Sequence, residues 1–266
     1  MTKEGEGVDI VVCVKTNPDL QMVRIKNREA VTEAVPYKIG DLEKNALQAA
    51  VDLRAAAGGK ITALCLAERN RKAAEDIKVA LAMGADEAVV IDDPALTQPD
   101  QAAVAAALAA AVKKIGACDL LLLGEGSTDN YTGQVGARVA ELLGVPQIGY
   151  ARKIEAADGA VRCERSMDDM IETLEAPLPA VVTVVSEINE PTIPGLMQIM
   201  KAKSKPLQVW SLADLGLDAA ALAPTREIVS NLAEEQDRKH ILFDGSAAEQ
   251  ADAFVNALIK EGVLGR

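Results

Sequence analysis

The chain has 266 residues, 49% of them apolar, and a formal net charge of −12. That length suits one large α/β domain, or one domain with a smaller appendage, and the apolar content excludes global disorder. The negative balance argues against nucleic acid and against an anionic membrane surface, both of which call for Lys and Arg. A single histidine, His240, leaves almost no material for a Ser-His-Asp or Cys-His catalytic system. It lies in the polar run EEQDRKH and reads as a surface residue. Aromatic residues make up only 2% of the chain, so a planar ligand would be held by backbone and aliphatic walls. Cys13, Cys65, Cys118 and Cys163 are scattered without a CxxC pair, which reads as reduced, buried thiols in a cytoplasmic protein with no metal site. Residues 1–10 carry no apolar h-region, so no secretory signal is expected. The apolar run 102–112 is too short to span a bilayer.

Taken in order, residues 10–15 (IVVCVK) suit a buried parallel strand. Residues 21–35 read as a small hairpin excursion. A helix is expected from Gly40-Asp41 to about Ala57, with Asp41 as its N-cap and Gly58-Gly59 as its stop. Residues 60–66 form a second strand. A helix then starts at Asn70, faces Ala73, Ile77, Ala80 and Leu81 inward, and stops at Gly84. Residues 87–91 are a third strand, 100–116 an alanine-rich helix and 120–123 a fourth strand. This alternation predicts a doubly wound parallel sheet with right-handed crossovers. The period changes after 150. Segments 150–156 and 161–166 flank Asp158-Gly159, a hairpin turn signal, and 170–174 continues the ribbon, which should extend one sheet edge antiparallel. Residues 180–185 are another buried strand.

Residues 189–205 break the rhythm. A short helix carries Leu196, Met197, Ile199 and Met200 almost consecutively. Spacing alone favours a core helix over a presented contact for a partner. Beyond Trp210, residues 212–222 read as a helix or a pair of turns, 240–243 as a short strand, and 247–260 as a final amphipathic helix. The last fifty or so residues pack poorly on themselves, which suits either an arm lying on another subunit or a terminal helix on its own domain. The expected division is 1–210 and 211–266.

The ligand is expected at 120–143. An apolar strand there runs into the small, polar loop Gly124-Glu125-Gly126-Ser127-Thr128-Asp129-Asn130-Tyr131-Thr132-Gly133. A helix bearing Val135, Val139, Leu142 and Leu143 follows. Glycine lets an anion approach, and the helix N-terminus favours negative charge. Thr128 and Thr132 add hydroxyls. The loop reads either as a phosphate or pyrophosphate cradle or as an ordinary strand-to-helix connection. It is neither GxGxxG nor a Walker loop.

Taken together, residues 11–15 (VVCVK), 80–86 (ALAMGAD), 119–136 (DLLLLGEGSTDNYTGQVG), 178–182 (LPAVV), 189–191 (NEP) and 199–203 (IMKAK) resemble the beta subunit of electron-transfer flavoproteins nearly end to end. Residues 124–131 and 206–211 (PLQVWS) look closest to the branch that accompanies carnitine and caffeate reduction in anaerobes. The resemblance implies an adenine-nucleotide alpha hydrolase type of α/β fold, with a C-terminal arm on an alpha subunit that holds the redox FAD. It implies FAD, or alternatively AMP, in this chain. The nucleotide contacts would fall on Cys13, on Gly40, Asp41, Leu42 and Glu43, on Leu66, and on Gly124–Val135, Gln134 included. A recognition segment for an acyl-CoA dehydrogenase or reductase would fall on Pro191, Ile193, Leu196, Met197 and Met200. That shifts the reading of residues 189–205 from core helix to docking loop. Where family members often carry Asn-Pro-aromatic, this chain has residues 38–43 (KIGDLE). The expected role is electron relay by the cofactor, with electron bifurcation if the bound group is FAD and no acid–base catalytic residue. A non-redox nucleotide-binding protein of the same fold is the alternative.

Overall fold

The computed structural model describes residues 7–68, 70, 72–226, 228–234 and 238–265. The first six residues and residues 235–237 of the polar run lie outside the described residues. Strand β1 (Ile10–Cys13) is buried throughout. β2 (Thr16–Pro18) follows, then an exposed hairpin of β3 (Arg24–Lys26) and β4 (Glu29–Val31). Asn27 and Arg28 turn that hairpin with φ of 50° and 66°, the left-handed pair a tight two-residue loop demands. β5 (Tyr37–Ile39) returns antiparallel to β2. Helix α1 (Asp41–Ala57) and β6 (Ile61–Leu66) follow. Then come α2 (Ala73–Asp76), α3 (Lys78–Met83), β7 (Glu87–Ile91), α4 (Gln101–Ile115), β8 (Leu120–Gly124) and α5 (Val135–Leu143). The ribbon is β9 (Gln147–Ala157), β10 (Ala160–Ser166) and β11 (Ile171–Pro177). It leads to β12 (Ala180–Val184), α6 (Leu196–Ala202) and β13 (Leu207–Trp210), with α7 (Ala247–Lys260) last.

The large sheet has the order β11-β10-β9-β12-β8-β1-β6-β7-β13. From β9 to β13 every neighbouring pair is parallel, while β10 joins β9 and β11 antiparallel. The expected α/β architecture is present, and the ribbon extends one edge. Side chains alternate between faces, so each central strand feeds two cores. Ile10, Val12, Ala63, Leu120 and Val182 meet Ala46, Leu47, Leu53, Ile77 and Leu81 on one face. Val11, Leu64, Val89, Leu121 and Val181 meet Ala105, Leu108, Val112 and Val139 on the other.

Several local expectations change. Gly40, not Asp41, is the N-cap of α1, with extended backbone and no side-chain cap; the Asp41 carboxylate instead accepts from Lys44 Nζ at 2.7 Å. The expected helix after Asn70 is two short pieces that part at Ile77. Residues 240–243 form no strand: Ile241 and Leu242 are exposed. Residues 207–210, not foreseen as a strand, add to the sheet edge beside β7. The core reading of α6 is overturned. Leu196 is 74% exposed and Met197 66%, and of this helix only Ala202 is buried.

The segment before α6 is fastened to α1. Asn45 Nδ2 donates to the carbonyls of Asn189 and Ser186 at 2.9 and 3.3 Å, and Asn189 Nδ2 donates back to Asn45 O at 3.0 Å. Gln48 Oε1 accepts from Thr192 N at 3.0 Å.

Residues group into two units. One holds 1–24 and 31–230, so Leu212, buried in the second core, and the turns Ala213–Leu215 and Ala219–Leu222 belong to it. The smaller holds 25–30 and 231–266. In it α7 is capped by Ser246 and Glu249, and Phe243 meets Phe254 edge to face with ring centres 6.1 Å apart. No residue of α7 is buried.

Candidate functional site

A cleft opens where β1, β6 and β8 end at Cys13, Leu66 and Gly124. β1 pairs with β6 on one side and β8 on the other, so the crossovers leave it in opposite directions. That is the switch point at which open α/β sheets bind ligands. The empty volume is about 840 Å³, the solvent at the mouth included, within the range of small-molecule sites. One wall is aliphatic: Leu64, Leu66, Val104, Leu108 and Leu123. The other is the loop from Gly124 to Gly136.

Of the residues expected at a nucleotide, Cys13, Glu43, Leu66, Gly124, Glu125, Gly126, Ser127, Asn130, Thr132, Gly133, Gln134 and Val135 line the cleft. Gly40, Asp41, Leu42, Thr128, Asp129 and Tyr131 do not. Each of these six has another task or placement. A Cβ on Gly40 would collide with the Glu43 carboxyl. The Asp41 side chain is largely exposed. Leu42 packs so tightly on Gly124 that a Cβ there would lie 2.7 Å from its own. Thr128 Oγ1 accepts from Asn17 Nδ2 at 3.1 Å. Tyr131 donates its hydroxyl to Glu125, and its ring covers Gly126. That bond to Glu125 raises the phenol to about 12.

Asp129 binds Lys15. Lys15 Nζ lies 2.9 Å from Asp129 Oδ2 and 3.4 Å from Glu68 Oε1, tying the ends of β1 and β6 to the loop after β8. Burial acts to lower the ammonium's pKa, but Glu68 and Asp129 outweigh it, and the net shift is upward. Burial likewise opposes ionisation of Asp129, yet the Ser127 hydroxyl and Lys15 hold its carboxyl below the usual range. Lys15, Val14, Glu68, Pro99, Gln101, Val104 and Leu108 line the cleft without having been singled out in the sequence. Lys15 had a signal, being the first charge after the apolar run.

The start of α5 is the element of the cleft that could hold an anion. Gln134 occupies the N-cap position and makes no side-chain cap, so the first amides of the helix are not satisfied by a capping oxygen. Gly133, with φ +63°, turns the chain into it. Gly136 is needed for a different reason. A Cβ there would collide with Thr183 Cγ2, so this glycine seats α5 on the sheet. Small residues, uncapped amides and an aliphatic wall fit the phosphate and flat base of an adenine nucleotide. Among the described residues two buried side-chain oxygens lack a hydrogen-bond partner, Asn17 Oδ1 and Glu43 Oε2, and of the two residues Glu43 lines the cleft. It is 4% exposed. Burial raises its carboxyl to about 7, against the opposing pull of its own backbone amide and Lys15.

Ile193, Leu196, Met197 and Met200 stand exposed, Ile193 at 89%, with Pro191 half-buried at the start of the segment. Among the described residues no cluster of three His, Cys, Asp or Glu could hold a metal, and no helix is long and apolar enough to cross a membrane. Cys13, Cys65 and Cys163 are buried and Cys118 half-buried, all as free thiols. His240 is exposed. Residues 29–215 match the model of a family described as the electron transfer flavoprotein domain.

Proposed function

Because the chain belongs to the electron transfer flavoprotein domain family, we propose that it is the beta subunit of such a flavoprotein. In this reading it holds the adenosine diphosphate half of an FAD in the cleft, with AMP as the alternative occupant. The observation that carries the reading is the cleft itself. Uncapped amides at the start of α5, with Gly124, Gly126 and Gly133 around them, seat a diphosphate. Leu64, Leu66, Val104 and Leu108 receive the base. When bound, the flavin supplies the electron chemistry, and the protein supplies binding and orientation. No acid–base residue is called for. The chain pairs with an alpha subunit through its C-terminal arm. It relays electrons between NADH or a dehydrogenase and an acyl-CoA dehydrogenase or reductase, by bifurcation where two FAD are present. Pro191, Ile193, Leu196, Met197 and Met200 form the contact with that partner, in a protein of the branch serving carnitine or caffeate reduction.

Purifying the heterodimer, denaturing it and counting released nucleotides tests this. Two FAD per pair are expected. One FAD with one AMP overturns the FAD assignment. A colourless protein that releases no adenine nucleotide overturns the whole reading.

A further inference from the structure

Glu43 stands out from every other polar side chain of the cleft. It lies in the first turn of α1 and lines the cleft at 4% exposure, and one carboxyl oxygen has no partner. The groups around it do not compensate its charge. From the end of β1 come the buried thiol of Cys13 and the ammonium of Lys15, the latter already held between Asp129 and Glu68. Asp129 comes from the loop after β8 and Asp41 from α1 itself, with Cys65 of β6 behind. Glu68 and Glu125 also line the cleft. Among the described residues Lys15 is the cation that acts on Glu43, and Asp129 already holds it at 2.9 Å; a buried carboxylate left without its own counter-charge is costly.

Resting on the reading of the cleft as a nucleotide site, we propose that Glu43 enters the occupied site as a neutral carboxyl, so that the nucleotide and a proton bind together. A phosphate at the start of α5 brings negative charge into the same cleft, where an ionised Glu43 repels it. The neutral acid removes that repulsion. It offers one O–H to donate and one oxygen to accept, and the nucleoside's ring nitrogens, amino group and hydroxyls present both kinds of partner. The proton comes from solvent and returns to it when the nucleotide leaves.

The test uses the heterodimer stripped of nucleotide, titrated calorimetrically with AMP in two buffers of different ionisation enthalpy. Above neutrality AMP's own phosphate is already fully ionised. Wild-type affinity is expected to fall towards tenfold per pH unit between about pH 7 and about pH 9, with proton uptake approaching one per AMP. Glu43→Gln, a neutral carboxamide of the same shape, should bind AMP with a flat profile over that range and take up no proton. Wild-type affinity that stays flat, or the same slope retained in Glu43→Gln, overturns the proposal. If Glu43→Gln does not fold, as judged by circular dichroism, proton uptake by the wild type decides alone. Wild-type protein that binds neither AMP nor FAD at any pH refutes the nucleotide site itself, which separates that failure from failure of the proton linkage.

Discussion

At Glu43 the cost of burial can be measured without any ligand. Its carboxyl titrates near 4.5 when the chain is unfolded and near 7 when folded. Between those values the folded chain holds more protons than the unfolded one, so stability falls as pH rises through that window and stays low above it. The interval corresponds to roughly 3 kcal/mol. Glu43→Gln is therefore expected to stabilise the nucleotide-free protein by about 2 to 3 kcal/mol at pH 8, and far less below pH 4.5, as read by urea denaturation. The residue's place in the site could be named in the sequence by resemblance, but its isolation could not. Burial of a carboxyl next to Leu42 depends on Gly40 leaving room and on Lys15 being taken. Asp129, which engages Lys15, is far away in sequence. Asp129, Thr128 and Tyr131 were expected at the ligand for the same reason: sequence shows that a loop is polar, not which of its polar groups bind one another.

Helix α4 shows what a single cap does for an element. Asp100 Oδ1 accepts from the amides of Ala103 and Ala102 at 2.9 and 3.1 Å, while Oδ2 accepts from Thr225. These amides pull its carboxyl down to about 2. Its contribution is thus present above about 3.8 and is lost as pH falls through 2. Asp100→Ala should cost about 1 to 2 kcal/mol in denaturant unfolding at neutral pH. Both ends of α4 were legible, as Asp100 and Gly116, and the central strands were legible as unbroken apolar runs because helices cover both faces. β13 was not: an edge strand of four residues with half of them exposed carries neither a run nor a clean alternation. In α6, four apolar residues in five positions fit a core or a presented knob equally well, and only exposure separates the two. Leu196→Ala should lower kcat/KM for the partner dehydrogenase about tenfold or more, the loss typical of an interface anchor, with nucleotide content unchanged. Loss of nucleotide instead would show that the segment supports the cleft.

Across the molecule, apolar surface is distributed unevenly. The unit of 25–30 and 231–266 leaves Ile241, Leu242, Phe254, Ile259 and Val263 exposed, Leu242 at 89%. So small a segment with no buried helix face has little core of its own. Amide exchange in residues 238–265 is expected to be fast in the isolated chain and slowed by about tenfold or more in the heterodimer, as mass spectrometry would read. Equal exchange in both states would remove these residues from the subunit contact. In the larger unit, α1 is a beam with two fittings. Its first turn lines the cleft through Glu43, and Asn45 and Gln48 hold the root of the limb that ends in Leu196. Only Lys44 lies between Glu43 and Asn45. A load that tilts this beam shifts cleft and limb in the same stroke, with no relay needed through the sheet between them.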